Sequence, residues 1–416
     1  MNPEFEGSVK RKPDSWASPA PANSVRDRVG TVGDLHASAT RLTGLTEFGE
    51  DDYIDGLAML LASYERDEKL TPLGQKMHRV ALRSALAARL VSEAAWQQYP
   101  EHASVTIEQP IFVLGLPRTG TTALHRLLTA DQANQGLELW LTQMPQPRPP
   151  RATWASDPFY VAMDEGFKQH HIEHPEFMGL HLLGADEVEE CWRLLWQSMR
   201  SISFESLAHL PTYSSWLQSK DWTDAYRRHK RNLQLIGMND PKRRWVLKNP
   251  SHLFALDELL TVYPDALIIQ THRLPRVVIG SACSLSAHAT AGWSEKFVGP
   301  VIGEDQIELW ARGLDWFMAA RARHDQSRFC DVWYDEFVSD PLGTVASVYE
   351  HFDIELTGAA ADAMRAMQDE SAGLGPGGVA GGPRDARWRH KYSLADFGLT
   401  AEQVDERFAG YLGTRT

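Results

Sequence analysis

The stretch from residue 111 to residue 128, Ile-Phe-Val-Leu-Gly-Leu-Pro-Arg-Thr-Gly-Thr-Thr-Ala-Leu-His-Arg-Leu-Leu, decides how this chain folds. Ile111 to Leu114 form an unbroken apolar run, the pattern of a strand buried on both faces. Gly115 to Gly120 make a tight loop. From Thr121 onward, Leu124, Leu127 and Leu128 take helical spacing. A strand, a glycine loop and a helix in that order build an anion cradle. The amides of the loop and of the first helical turn point at one spot, and the helix dipole favours negative charge there.

Working outward, the same order recurs between Arg244 and Ser281. Trp245-Val246-Leu247 predicts a strand with Lys248 at its end. Asn249-Pro250 opens a helix, because asparagine is a favoured cap and proline suits the first helical position. That helix turns Leu253, Leu256, Leu259 and Leu260 inward and stops near Tyr263-Pro264. Ala266 to Gln270 predict the next strand. Thr271-His272-Arg273 leave its end, and Pro275 begins a helix that carries Ser281. Gln306 to Arg323 predict a buried helix, Cys330 to Tyr334 a further strand, and Asp340-Pro341 another helix start. Polar residues thus gather at strand ends, where parallel α/β sheets bind their ligands.

The flanks carry less chemistry. Residues 1–30 are polar and proline-rich and read as a disordered leader; they lack the apolar segment of a signal peptide, so export is not expected. Residues 31–105 read as a helical extension, with Leu57, Leu60, Leu61 and Tyr64 on one face and Val80, Leu82, Leu86, Leu90 and Val91 on another. The proline-rich stretch 144–150 closes the first strand–helix unit. Pro158 to Ser201 is predicted helical, with Val188, Cys191, Trp192, Leu195 and Met199 in one stripe. Asp186, Glu187, Glu189 and Glu190 suit the start of such a helix electrostatically, and Glu190, beside the stripe, is placed to face a cleft. His170, His171 and His174, with Glu173 and Glu176, lack a full ligand set, so no metal site is expected. Arg227-Arg228-His229-Lys230-Arg231 reads as a solvated basic face. The glycine-rich stretch 371–382 and the following Arg384, Arg387, Arg389 and Lys391 admit two readings: a loop closing over an anionic ligand, or a plain surface connection.

The formal net charge of −13 argues against non-specific nucleic-acid binding and requires a local basic site for any anionic ligand. Cys191, Cys283 and Cys330 lie far apart without metal spacing, which fits a reducing, cytoplasmic compartment. No apolar run reaches the length of a membrane span.

The loop at 115–122 resembles the P-loop of nucleotide triphosphatases, G-x-x-x-x-G-K-[ST], with one change: Thr121 stands at the lysine position, while Arg118 sits inside the loop. No apolar strand ends in a plain magnesium-binding aspartate. The site therefore suits a nucleotide without a γ-phosphate and without metal. Three motifs in order then resemble those of sulfotransferases that use 3′-phosphoadenosine 5′-phosphosulfate (PAPS), in the bacterial branch with a helical N-terminal extension. Gly-Leu-Pro-Arg-Thr-Gly-Thr-Thr, 115 to 122, is similar to that family's 5′-phosphosulfate loop. Arg273, with Ser281 eight residues on, is similar to its 3′-phosphate clamp. Tyr334-Asp335-Glu336-Phe337 is similar to the strand end that contributes to the nucleotide site. Lys248-Asn249-Pro250-Ser251-His252 also looks like the branch's acceptor-side motif.

The resemblance implies an α/β, P-loop-like three-layer fold with a central, mostly parallel sheet over residues 106–416, plus the N-terminal extension. It implies in-line sulfuryl transfer from PAPS to a hydroxyl or amine of a small-molecule, lipid or glycan acceptor. Gly115, Arg118, Thr119, Gly120, Thr121 and Thr122 would hold the 5′ side of the donor, with Arg118 also aimed at the sulfuryl and bridging oxygens. Arg273 and Ser281 would bind the 3′-phosphate, and Tyr334, Arg387 and Arg389 would complete the nucleotide site. Lys248 would hold the transferring group and His252 would act as general base, with His125, His272 and Glu190 in reserve. Two positions depart from the family pattern. The histidine follows the lysine by four residues rather than two, and Ala123 stands where the family has a stacking aromatic. The alternatives are a P-loop kinase or nucleotide hydrolase, and a non-catalytic nucleotide-binding protein. No nucleic-acid partner and no transmembrane segment are expected, and a homodimer is left open.

Overall fold

Among the described residues, five short strands form one sheet, and every one of them runs in the same direction. The computed structural model describes residues 28–173, 184–373 and 393–412. The strands are β1 (Ile111–Gly115), β2 (Asn134–Gln135), β3 (Arg244–Lys248), β4 (Leu267–His272) and β5 (Phe329–Trp333). Their spatial order is β2-β3-β1-β4-β5, so the strand expected to organise the chain lies at the centre. Phe112 pairs with Leu247 on one side and with Ile268 on the other. The mostly parallel sheet expected from the sequence is thus fully parallel.

Side chains alternate across a strand, so each apolar run feeds two cores. Phe112, Leu114, Leu247 and Ile268 face one layer; Ile111, Val113, Val246 and Ile269 face the other. The second layer holds Leu124, Leu127 and Leu128 of the post-loop helix, with Val345, Val348 and Met364 from later helices. The first layer is larger and includes Leu57, Leu60, Leu86 and Leu90 of the N-terminal helices. Those helices (Val32–Thr43, Ile54–Arg66 and Pro72–Gln98) therefore share one core with the sheet. Arg89 is wholly buried there, donating to the carbonyls of Phe48 and Gln197, with its guanidinium over Tyr53.

Three local expectations are corrected. The helix predicted from Pro158 to Ser201 is borne out over Pro158–Glu173 but not throughout: residues 184–191 are irregular, and helix returns at Trp192–Trp196. The acidic residues before it are not an N-terminal turn. The basic run 227–231 is a solvated face only in part, with Arg227 and Arg231 exposed. It lies on the helix Thr223–Ile236, where Arg228 and His229 are buried, Arg228 pairing with Glu93 and His229 bonding the Tyr263 hydroxyl. Asn249-Pro250 opens a 3-10 turn, Pro250–Phe254, and the α-helix starts only at Leu256. Arg384, Arg387, Arg389, Lys391, His174 and Glu176 lie outside the described residues.

Candidate active site

A parallel sheet puts all its carboxyl ends on one edge, and three of those ends make the site. β1 exits at Gly115, which has φ of +145°; a Cβ there would lie 2.5 Å from the Thr271 hydroxyl and 2.6 Å from the Thr271 carbonyl oxygen. Only glycine lets the loop leave the strand so close to β4. Arg118 has φ of +65° and Gly120 has φ of +88°. Gly120 is the cap of the helix Thr121–Thr129 and offers no side chain, so the first-turn amides have no side-chain acceptor of their own. Left-handed backbone followed by an uncapped helix start is the geometry of an anion cradle. Thr119 locks the loop from below, its hydroxyl 2.6 Å from the Leu116 carbonyl oxygen and 2.6 Å from the Thr271 hydroxyl.

β4 exits into Arg273. Its guanidinium lies 3.8 Å from the centre of the Tyr334 ring and donates to the Arg118 carbonyl at 2.8 Å. Arg118 in turn donates from Nε to the Ser281 hydroxyl at 3.1 Å. Arg118, Arg273, Ser281 and Tyr334, scattered over more than two hundred residues of sequence, thus meet at one place. Ser281 is buried on the helix Pro275–Ala289, while both guanidinium groups are half-buried.

β3 exits into Lys248, which is 1 % exposed. Its Nζ donates to Thr122 Oγ1 at 2.8 Å and pairs with Glu190 Oε1 at 3.0 Å. Glu190 arrives on the irregular segment that replaces the predicted helix. That segment bonds along residues 137–140 (Glu189 N–H to Leu137 O, Leu139 N–H to Glu187 O, Trp140 N–H to Ala185 O). It ends on the strand, with Cys191 N–H donating to the Lys248 carbonyl at 3.1 Å. A fifth of the Glu190 side chain remains exposed. Carboxylate, ammonium and loop hydroxyl therefore form one line from solvent to the anion cradle.

His252 stands elsewhere. It is wholly buried, with Nδ1 2.7 Å from the Tyr226 hydroxyl and Nε2 3.2 Å from Cys191 Sγ. The Phe112 ring lies perpendicular to it, 5.0 Å between centres. Burial, and then the neighbouring His229, hold its imidazole well below the ordinary value. The four-residue spacing from Lys248 is the cause: the 3-10 turn folds His252 back under the sheet. With both nitrogens occupied, it departs from the expectation of a base facing the acceptor. His125 is also buried, bonding the Val246 carbonyl, and burial with the nearby Lys248 holds its imidazole down to about 3. His272 lies between the rings of Trp333 and Tyr411 and bonds Asp331 and the Tyr411 hydroxyl. Of the reserves, Glu190 alone is partly exposed at the cradle; its place beside the apolar stripe was the sequence signal for it. The partners of His252, Tyr226 and Cys191, had no such signal. Among the described residues no group of three or more His, Cys, Asp and Glu side chains is arranged to hold a metal, and no helix is long and apolar enough to cross a membrane.

With this geometry in view, similarity to known proteins is specific. Residues 110–358 match the model of a sulfotransferase family. The Omega-hydroxy-beta-dihydromenaquinone-9 sulfotransferase Stf3 of Mycobacterium bovis and that of Mycobacterium tuberculosis are each 25% identical over 269 residues, 60% of this chain; the match spans 64% of the length of those curated relatives. The crystal structure of sulfotransferase STF1 from M. tuberculosis is 55% identical, superposes with a TM-score of 0.84, and covers 92% of this chain and 100% of that one. Sulfotransferase STF9 from Mycobacterium avium is 28% identical, with a TM-score of 0.81 over 95% of this chain and 98% of its own. An anion cradle without the triphosphatase lysine, a second cationic site beside it, and relatives that share nearly the whole architecture lead to one conclusion: the chain belongs to the sulfotransferase family.

Proposed function

We propose that the chain transfers a sulfuryl group from PAPS to a hydroxyl, or an amine, of a small-molecule, lipid or glycan acceptor. One observation carries this reading: Lys248 bonds the loop hydroxyl of Thr122 and the Glu190 carboxylate at the same time. A cation joining the anion cradle to a partly exposed carboxylate is what sulfuryl transfer to a hydroxyl needs. The residues present fit the donor. The uncapped helix start, the loop amides of 118–122, and Thr121 and Thr122 hold the 5′-phosphate. Arg273 and Ser281 hold the 3′-phosphate, with Tyr334 backing the guanidinium; Arg387 and Arg389 belong to this side in the same reading. Arg118 swings from Ser281 toward the bridging oxygen, where negative charge grows as the 5′-phosphate leaves.

Glu190, rather than His252, takes the proton. The sulfur–oxygen bond to the 5′-phosphate breaks and a bond from sulfur to the acceptor oxygen forms. The hydroxyl proton passes to the Glu190 carboxylate, and adenosine 3′,5′-bisphosphate leaves. Lys248 neutralises the sulfuryl oxygens during transfer and holds Glu190 in reach. Glu190 is placed for this by its exposure and its tie to Lys248, whereas His252 has neither a free nitrogen nor an open face. The free thiols of Cys191, Cys283 and Cys330 support work in the reducing cytoplasm. An acceptor of the ω-hydroxy-dihydromenaquinone kind, named for the Stf3 relatives, is the first lipid to test. Calorimetry with adenosine 3′,5′-bisphosphate should show binding without added metal. Failure to bind it, together with tight binding of ATP–magnesium, would overturn the reading. A donor-consumption assay across an acceptor panel then separates an enzyme from a nucleotide-binding protein.

A further inference from the structure

The best-formed polar cluster outside the phosphate sites lies behind the Glu190–Lys248 pair. Tyr226, His252, Cys191 and the Lys248 carbonyl follow one another within hydrogen-bond reach, and all four residues are at most 1 % exposed. Their donors have one consistent arrangement. Among the described residues the Tyr226 hydroxyl has His252 Nδ1 as its partner, so it donates there. His252 then carries its proton on Nε2 and donates to Cys191 Sγ at 3.2 Å. The thiol points its own hydrogen toward the Lys248 carbonyl at 3.7 Å, and Cys191 N–H donates to that carbonyl at 3.1 Å. The reverse arrangement leaves the buried Tyr226 proton without an acceptor, which is unfavourable.

We propose that Tyr226, His252 and Cys191 are positioning residues that fix the Glu190–Lys248 pair in register. Cys191 is the hinge of the argument. It adjoins Glu190 in the chain, and its backbone and thiol both grip the residue that Glu190 pairs with. Glu190 arrives on an irregular segment with no helix to hold it, so its bearing depends on where residue 191 is anchored. His252 supplies that anchor, and Tyr226 fixes the ring from the helix Thr223–Ile236. The Asn249 side chain accepts from Ser251 N–H and closes the turn that carries His252. The ionisable groups facing the cluster are His229 and Tyr263, which bond each other beside Tyr226 and His252, Glu258 near Tyr226, and Lys248 and Glu189, beside Glu190. The buried imidazole stays neutral throughout, so the cluster orients without exchanging protons with the acceptor. This inference rests on Glu190 as the base.

The test uses the full chain and PAPS, with water as the acceptor so that no unidentified ligand is needed. Donor hydrolysis is followed against pH for Tyr226→Phe, Cys191→Ala, Cys191→Ser, His252→Gln and Glu190→Gln. Selective 13C labelling follows the Glu190 carboxyl by NMR, assigned through its loss in Glu190→Gln. Tyr226→Phe and Cys191→Ala should each slow turnover about 10- to 100-fold, the cost of misplacing a catalytic group by a fraction of an ångström. Both should also shift the Glu190 carboxyl resonance as its contact with Lys248 loosens. Cys191→Ser, which keeps a donor and an acceptor, should restore most of the rate, and His252→Gln should keep the acid limb of the profile. Binding of adenosine 3′,5′-bisphosphate within about twofold of the unmodified chain certifies the fold in each case. Rates within twofold and an unmoved Glu190 carboxyl resonance in both Tyr226→Phe and Cys191→Ala would overturn the inference. So would loss of the acid limb in His252→Gln, which would return the base to His252. Full activity in Glu190→Gln would instead remove the reading on which the inference stands.

Discussion

The exits of β3 and β4 flank the same central strand, yet they hold their cations in opposite ways. Lys248 is sealed in, bonded to Thr122 and Glu190. Arg273 is half-buried over the Tyr334 ring, and among the described residues its one hydrogen bond goes to the Arg118 carbonyl. A compact ammonium fixed between two oxygens is a point charge set for chemistry. A stacked guanidinium with donors to spare suits recognition of an anion that comes and goes. In the proposed function, the contrast means that neighbouring positions on one sheet edge divide the work: β3 would serve the reacting group and β4 affinity.

That division can be broken in order of expected effect. Glu190→Gln and Lys248→Ala should each lower kcat by about 10²–10⁴-fold, the usual loss with a general base or its charge partner, with bisphosphate affinity changed far less. Single-turnover assays at saturating donor measure this, and a double substitution no worse than either single one would show that the pair acts as a unit. Arg118→Ala should lower kcat by about 10²–10³-fold, as for removal of one donor to developing charge. A loss confined to donor affinity would move Arg118 to the β4 side of the division. Arg273→Ala should weaken bisphosphate binding by about 10- to 100-fold in calorimetry, the worth of a charged hydrogen bond or two, with kcat at saturating donor within about threefold. A large fall in kcat would erase the contrast.

A last effect concerns four buried histidines, and it appears in stability rather than rate. Burial holds the imidazoles of His78 and His229 down to about 3, burial and Lys248 do the same for His125, and His252 lies well below the ordinary value. The unfolded chain takes up protons at these residues below about pH 6.5, while the folded chain does not. Their contribution is therefore fully present above that pH and is lost as pH falls, by about 1.4 kcal/mol per pH unit for each residue. Urea unfolding at pH 7 and pH 5.5 should show a clear drop, and His229→Gln should lessen its slope by about a quarter. A flat profile would place these rings in contact with water.

Much of the donor side was legible in the sequence because it is local. A strand, a glycine loop and a helix form one short stretch, and Arg273 with Ser281 sit eight residues apart. β1, β3 and β4 were legible for the same reason, as apolar runs, and β5 nearly so, whereas the polar pair Asn134–Gln135 of β2 gave no signal. The acceptor side was not. Glu190 reaches Lys248 across 58 positions of sequence, on a segment whose helical spacing was coincidental. Val188, Cys191 and Leu195 are spaced like a helix stripe, but residues 184–191 find their hydrogen bonds on residues 137–140 and on β3 instead, and tertiary pairing overrode local periodicity. His252 misled for a related reason. A histidine four residues past a strand end looks exposed, and only the 3-10 turn shows that it doubles back beneath the sheet. The basic run 227–231 fooled charge counting because buried arginines can find partners, here Glu93 for Arg228, that no local pattern announces.

The pairing of Gly115 with Thr271 has a consequence for selectivity. Thr271 bonds Thr119 within the cradle and stands two residues before Arg273, which itself bonds the Arg118 carbonyl. The two phosphate sites are thus bolted to adjacent strands of one sheet, and the span between them is set by backbone register instead of by loops that adjust. If the proposed sites hold the two phosphates, the sheet works as a caliper: it gauges how far apart two negative groups lie on a ligand, beyond how many there are. Adenosine 2′,5′-bisphosphate, with the same charge on a shifted carbon, should fit the jaws poorly.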